Sequence, residues 1–363
     1  MRCWGQILVY RRLQSVLGAY ESGWIQHARR SGDLRFHSAR PMPDRKSTIH
    51  IGLHKTGSTT LQNALYRSRR ELSAQGFFYP GDYLRPNFQH SILGVYLRES
   101  KIHLFKRAIE PILNDFVVMD DAQLILSGEE FSTVPRPGIH ILRESLDRTR
   151  RQFQVIVYVR NLYRFAISQI AQHSKGGRFI AYPASVMRRL QDFDPTSMLE
   201  GWETAFGEEH VRVFCLETLP EGGIVTHFAG VSGFCVPPDP GATELNRSVD
   251  PIASTLLSHL AFEFGVPHRF FYKAYFRATK ERRCILPRTE GHLVGLLEDW
   301  VGRRNLAHPK LAPHREVLMQ QPTIEDNPAR SDAEYLHMLS AVLARTAKDM
   351  KRARQNGSPS GKQ

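Results

Sequence analysis

Positions 52–62 read Gly-Leu-His-Lys-Thr-Gly-Ser-Thr-Thr-Leu-Gln, which places a lysine, a glycine and four hydroxyl side chains within six residues. Residues of these types at the start of a helix hold oxyanions, because backbone N–H groups and the positive end of the helix dipole converge there. Gly57 lets the backbone approach an anion closely. Ser58, Thr59 and Thr60 add hydroxyl donors, and Lys55 adds a point charge. The chemistry is phosphate binding. The spacing is not that of a Walker A loop, GxxxxGK[ST], since Ser58 follows Gly57 and the lysine lies two places before it. A kinase or NTPase would need that lysine and the magnesium-ligand position, and both are displaced. The plain structural alternative is a hydroxyl-rich helix cap with a chance lysine beside it.

Such a loop works where a strand ends and a helix begins. Ser47–Gly52 (STIHIG) is a short alternating run with β-branched residues and reads as a strand. Leu61, Ala64, Leu65 and Leu72 then fall at helical spacing over Thr59–Ala74, with Gly76 as the stop. Further strands are expected at Gln123–Leu126, Gln154–Val159 and Val211–Leu216. The second of these is a continuous apolar run suited to a parallel sheet covered on both faces. Helical periodicity covers Leu104–Leu113, Ile139–Arg148, Leu162–His173 and Met198–Phe206. Strands separated by helix-length segments predict an α/β fold with a central parallel sheet flanked by helices. Beyond about residue 250 the chain reads as mostly helical, near Ile252–Phe264, Thr289–Arg303 and Asp332–Met350, with Pro/Gly breaks at Pro237–Gly241 and Gly357–Gly361. The expected organisation is a poorly ordered basic extension at 1–45, one large α/β domain at 46–320, a helical segment at 321–350 and a disordered basic tail at 351–363.

The net charge of +13 invites a nucleic-acid or membrane interpretation, but its distribution argues otherwise. Residues 1–46 carry +6 and residues 345–363 carry +5, which leaves the central 298 residues at +2. Basic tails of this kind are ordinarily solvated; the alternative is a polyanionic partner docking on them. No specific nucleic-acid binding is expected of the centre. No run of eighteen apolar residues is present, so no transmembrane segment is expected. The apolar stretch Ile7–Tyr10 is cut short by Arg11 and Arg12, too soon for a signal-peptide core. Cys3, Cys215, Cys235 and Cys284 have neither CxxC pairing nor zinc-like spacing. Hence no metal site and no disulfide framework is expected, and the simplest compartment is the reducing cytoplasm.

The run His54–Gln62 resembles the 5′-phosphosulfate loop of sulfotransferases that use 3′-phosphoadenosine 5′-phosphosulfate (PAPS), written PK-[ST]-G-TT-x-[LW]. The match places Lys55, Thr56, Gly57, Ser58 and Thr59 on that loop, with Thr60 following. His54 replaces a common proline, and Ser58 replaces a threonine while keeping the hydroxyl. The family's second element is an arginine ending a strand with a serine eight residues on, both holding the 3′-phosphate. Here Arg160 ends QVIVYV and Ser168 lies eight residues later. An arginine at a strand end can fork onto a phosphate, and a serine two helical turns in can donate from the same side. Softer likenesses are Trp202–Glu217, Asn246-Arg247-Ser248 and Arg304-Asn305-Leu306-Ala307, so the resemblance spans roughly residues 48–310.

The resemblance implies a P-loop-like sulfotransferase fold and transfer of a sulfuryl group from PAPS to a hydroxyl or amine, with no metal required. Its bacterial and carbohydrate-directed members point to a carbohydrate or glycoconjugate acceptor. Lys55 would stabilise charge on the bridging oxygen. For the base, Glu129 and Glu130 stand just past the edge of the second expected strand, where open α/β folds bind ligands. The family's Ser-x-Glu aligns Ser127 and Glu129; the alternative is that these carboxylates only cap a helix or pair with a basic residue. His90 competes, because a histidine is the base in many cytosolic members. The alternatives outside this family are a P-loop kinase and a non-catalytic polyanion-binding protein.

Overall fold

The computed structural model describes residues 46–53, 56–83, 89–119, 121–175, 190–191, 193–236 and 291–321, with positions 340, 343–344 and 346–348 nearer the C-terminus. The chain divides after Pro41, and every described residue belongs to the unit that follows. The predicted helix at Ile252–Phe264, the breaks at Pro237–Gly241 and Gly357–Gly361, the Asn246–Ser248 motif, most of Asp332–Met350, the basic tails and, on the loop itself, His54 and Lys55 lie outside the described residues.

Five strands form an all-parallel sheet in the order β2-β3-β1-β4-β5. They are β1 (Ser47–Gly52), β2 (Phe77–Phe78), β3 (Gln123–Gly128), β4 (Phe153–Val159) and β5 (Val211–Cys215). All residues of β1 and β4 are buried, because helices cover both faces of the sheet. On one face Ile49, Ile51, Leu126, Val155 and Val157 pack against α3 (Ser91–Arg98), α4 (Ile102–Val117), α5 (Arg136–Asp147), α6 (Leu162–Lys175), α7 (Pro195–Phe206), α9 (Gly291–Gly302) and α10 (Arg315–Met319). On the other, Ile125, Ile156 and Tyr158 pack under α1 (Ser58–Arg67), α2 (Arg69–Ala74) and α8 (Gly223–Ser232).

The register fixes what meets at the sheet's C-terminal edge. Ile51 is level with Gly128, Gly52 with Tyr158, and Val159 with Cys215. The segments that follow β1, β3, β4 and β5 therefore leave from one edge. Connections from β1 and β4 run to opposite sides of the sheet, β1 towards β2 and β4 towards β5. Adjacent strands whose connections diverge leave a crevice between them, where open α/β sheets bind ligands.

Three local departures from expectation appear, and two have evident physical causes. The helix predicted over Thr59–Ala74 is broken at Ser68, whose backbone (φ −87°, ψ 14°) leaves the helical region. The guanidinium of Arg69 then takes the carbonyl of Tyr66 at 2.9 Å and reaches Asp82. Strand β2 is two residues long, too short for a period to register. It forms because Gly76, at φ +83°, turns the chain and accepts the Gln123 amide at 2.8 Å. Strand β3 also runs two residues past its predicted end and so includes Ser127.

Candidate functional site

The loop after β1 is shaped by two glycines with different duties. At Gly52 a Cβ would stand 1.9 Å from Ser58 Oγ, 3.0 Å from Thr56 Oγ1 and 3.1 Å from Ser58 Cβ, so glycine lets the strand end lie close against the first turn of α1. Gly57 sits at φ +82°, ψ 10°, the left-handed conformation that glycine adopts without strain, and it caps α1. Thr56 is fully buried and braces the turn: its hydroxyl donates to the Leu53 carbonyl at 2.7 Å, and its amide donates to the same oxygen at 3.2 Å. The Thr56 and Ser58 hydroxyl oxygens are 3.3 Å apart. Thr59 is half-buried and Thr60 exposed. No acidic residue lies in the first turn of α1 and no side chain caps it, so the turn's amides present the positive end of the dipole to the edge.

Beside that loop, Arg160 follows the last residue of β4. Its side chain is largely buried, and its Nε lies 3.9 Å from Glu217 Oε1. The next residue, Asn161, anchors the corner. Its side-chain oxygen accepts the Arg164 amide at 3.0 Å, capping α6, and its side-chain nitrogen donates to the carbonyls of Val317 (2.8 Å) and Gln320 (2.6 Å). Ser168, two turns into α6, is half-buried and donates to the Phe165 carbonyl at 2.8 Å.

At the end of β3, Glu129 is half-buried and opens a 3₁₀ turn, Glu129–Thr133. Its amide donates to Ser91 Oγ at 3.2 Å, and its carbonyl accepts the Ser132 hydroxyl at 2.7 Å. Glu130 pairs with Arg98 at the surface. His90 is fully buried. Its Nδ1 accepts the Ser127 amide at 2.9 Å, which occupies the lone pair a base would use, and the Tyr79 ring packs edge-on at 5.1 Å. Burial holds its pKa down at about 4, with the Pro80 and Ser127 backbones opposing.

The structure brings loop residues 56–60, Glu129 and Arg160 to one edge, on segments that leave neighbouring strands. It keeps His90 beneath the surface. It also assigns structural bonds to residues that the sequence motifs left silent. His50, in the middle of β1, is fully buried between the rings of Tyr158 and Phe228, with Nδ1 2.8 Å from Ser127 Oγ; burial pulls its pKa to about 3. Its signal was a polar residue inside an otherwise apolar central strand. Asn161 had a signal too, an asparagine at the mouth of a helix. Glu217 had none, because Asn161, whose amide it accepts, is 56 residues away in sequence. Within the softer likenesses, Trp202 is a fully buried core residue. Arg304 stacks on Trp300 and donates to the carbonyls of Leu190, Gln191 and Phe193.

Among the described residues no group of three His, Cys, Asp or Glu could hold a metal ion, and no helix is long and apolar enough to cross a membrane. Cys215 and Cys235 are free thiols. No family model matches the chain, and no curated protein matches it. Among solved structures, it is similar to the crystal structure of a sulfotransferase from Alicyclobacillus acidocaldarius, at 13% identity over 63% of this chain and 96% of that one, with a TM-score of 0.33. A likeness of that size carries no argument about the site.

Proposed function

We propose that the chain is a PAPS-dependent sulfotransferase acting on a hydroxyl or amine, with a carbohydrate or glycoconjugate as the acceptor class. One observation supports this best: a helix N-terminus with no side-chain cap, entered through a left-handed Gly57, and a strand-end arginine, Arg160, flank the β1–β4 crevice. The two features suit two separate phosphate groups on one nucleotide, one at the helix dipole and one at a guanidinium. A single-phosphate ligand would leave one of them without a purpose.

When bound, PAPS supplies the activated sulfuryl group. The amides of the first turn of α1 and the hydroxyls of Thr59 and Thr60 hold the 5′ end. Lys55, by its place in the loop, neutralises charge at the bridging oxygen. Thr56 and Ser58 keep the turn rigid. Arg160 holds the 3′-phosphate, and Ser168 turns its hydroxyl from the Phe165 carbonyl to the same group. Glu129 accepts the acceptor's proton; its half-buried place past β3 lets it meet both solvent and the crevice. No step calls for a metal, since the leaving group is already a stable phosphate.

Calorimetric titration with 3′-phosphoadenosine 5′-phosphate, without magnesium, tests this on wild type, Lys55→Ala and Arg160→Ala. Binding by wild type that falls in Arg160→Ala to the level of adenosine 5′-monophosphate is the expected result. Absence of binding together with magnesium-dependent ATP binding would overturn the proposal in favour of a P-loop kinase.

A further inference from the structure

Glu217 stands in the 3₁₀ turn Leu216–Thr218 that follows β5, and its one carboxylate serves two consecutive residues of the neighbouring strand's exit. Oε2 accepts the Asn161 amide at 2.9 Å and the Cys215 thiol at 3.3 Å, while Oε1 faces Arg160 Nε at 3.9 Å. Burial pushes the Cys215 thiol up to about 12, so it stays protonated and donates. The arrangement follows from register, since Val159 is level with Cys215, the last residue of β5, and the segments after both strands leave side by side. The side chains of Arg160 and Glu217 are only 16% and 20% exposed. A carboxylate so enclosed is costly unless it is bonded, and its bonds here all lead to the Arg160 corner or to its own strand.

The contact geometry says what Glu217 does to the arginine. Glu217 Oε1 stands 3.9 Å from Nε, beyond hydrogen-bond length, so it acts on the guanidinium through its charge. The same carboxylate fixes the backbone at Asn161, so the arginine's stem and its head are both referred to one charge. We propose that Glu217 is a positioning residue that aims Arg160 at the anion-binding edge, and that it thereby sets the preference for a nucleotide carrying a 3′-phosphate. This rests on the role given to Arg160 under the proposed function.

Glu217→Gln separates positioning from scaffolding. Its amide oxygen still accepts the Asn161 N–H, but the charge facing Arg160 is gone. The measurement is the ratio of affinities for 3′-phosphoadenosine 5′-phosphate and adenosine 5′-monophosphate, by calorimetry at fixed ionic strength, with the thermal midpoint alongside. Wild type should prefer the 3′-phosphorylated nucleotide, and Arg160→Ala should erase that preference. In Glu217→Gln the midpoint should stay near that of wild type and monophosphate affinity should hold. The ratio should fall by roughly tenfold, the size of one misaligned charge-assisted hydrogen bond. In an Arg160→Ala background the same substitution should change the ratio no further.

A wild-type ratio in Glu217→Gln, with Arg160→Ala having lost it, overturns the positioning role alone. A wild type without preference between the two nucleotides overturns the role of Arg160 and this proposal with it. Should Glu217→Gln not fold, Glu217→Asp replaces it; its carboxylate is one methylene too short to serve both residues, and an unchanged ratio there is equally fatal.

Discussion

Ser127 and His90 are bonded in both directions: the Ser127 amide donates to His90 Nδ1 at 2.9 Å, and the His90 amide donates to the Ser127 carbonyl at 2.8 Å. Ser127 also meets His50 through its hydroxyl at 2.8 Å. One serine at the end of β3 thus links β1 to the entrance of α3 from inside the protein. This sets the two candidate bases apart, since His90 holds the backbone and Glu129 stands at the edge.

Asparagine reproduces the acceptor at Nδ1, so His90→Asn should retain most turnover. Glu129→Gln should lose about 10²-fold or more, the usual worth of a general base. Turnover against pH on both variants decides the matter. Equal losses, with His90→Asn keeping its thermal midpoint, would return the role to His90.

Stability should fall in mild acid. In the folded protein burial holds His50 near 3 and His90 near 4, below the ordinary 6.5. The unfolded chain therefore takes up protons first as pH drops. The stability the two neutral rings contribute is complete above about pH 6.5 and declines from there towards pH 4 and 3, by roughly 2 kcal/mol per histidine at about pH 5. Urea midpoints between about pH 7.5 and 5 measure this, and His90→Asn should remove close to half of the slope. A flat profile in wild type would contradict it.

Gly52→Ala should weaken nucleotide binding. Its Cβ would meet Ser58 Oγ at 1.9 Å and, once that hydroxyl turns aside, still stand 3.0 Å from Thr56 Oγ1 and 3.1 Å from Ser58 Cβ, which shifts the loop. Gly57→Ala is milder: strain of about 1–2 kcal/mol at φ +82°, with Ile224 3.3 Å from the new methyl. Nucleotide affinity should therefore rank wild type, Gly57→Ala, Gly52→Ala. The opposite order of the two variants would mean that the loop does not depend on the Gly52–Ser58 approach.

Asn161→Ala should loosen two places at once, the start of α6 and residues 315–321. It removes a helix cap and two donors to Val317 and Gln320, at a cost of about 1–3 kcal/mol. Asn161→Asp keeps the cap and loses the donors. Amide exchange should accordingly rise at both places in the alanine variant and only near residues 315–321 in the aspartate variant.

Much of the frame was legible along the chain. The predicted strands Ser47–Gly52, Gln154–Val159 and Val211–Leu216 match β1, β4 and β5 to within one residue; β1 and β4 are buried on both faces, and β5, at the edge, is a short run rich in β-branched and aromatic residues. The loop at 52–60 and Arg160 were legible for the same reason, since each lies where such a run ends. Ser168 could be placed on a helix by its distance from Arg160, but not its bond to Phe165.

Composition and local spacing alone determined an α/β sheet with a Gly- and hydroxyl-rich loop between a strand end and a helix, because turns, caps and periods involve residues a few positions apart. Which carboxylate stands at the edge, why His90 lies beneath it, and how Glu217 reaches Arg160 and Asn161 depend on strand order and register. Those are set by packing two helical layers on the sheet, and they join residues tens of positions apart that no local pattern connects. Only the tertiary structure could decide them.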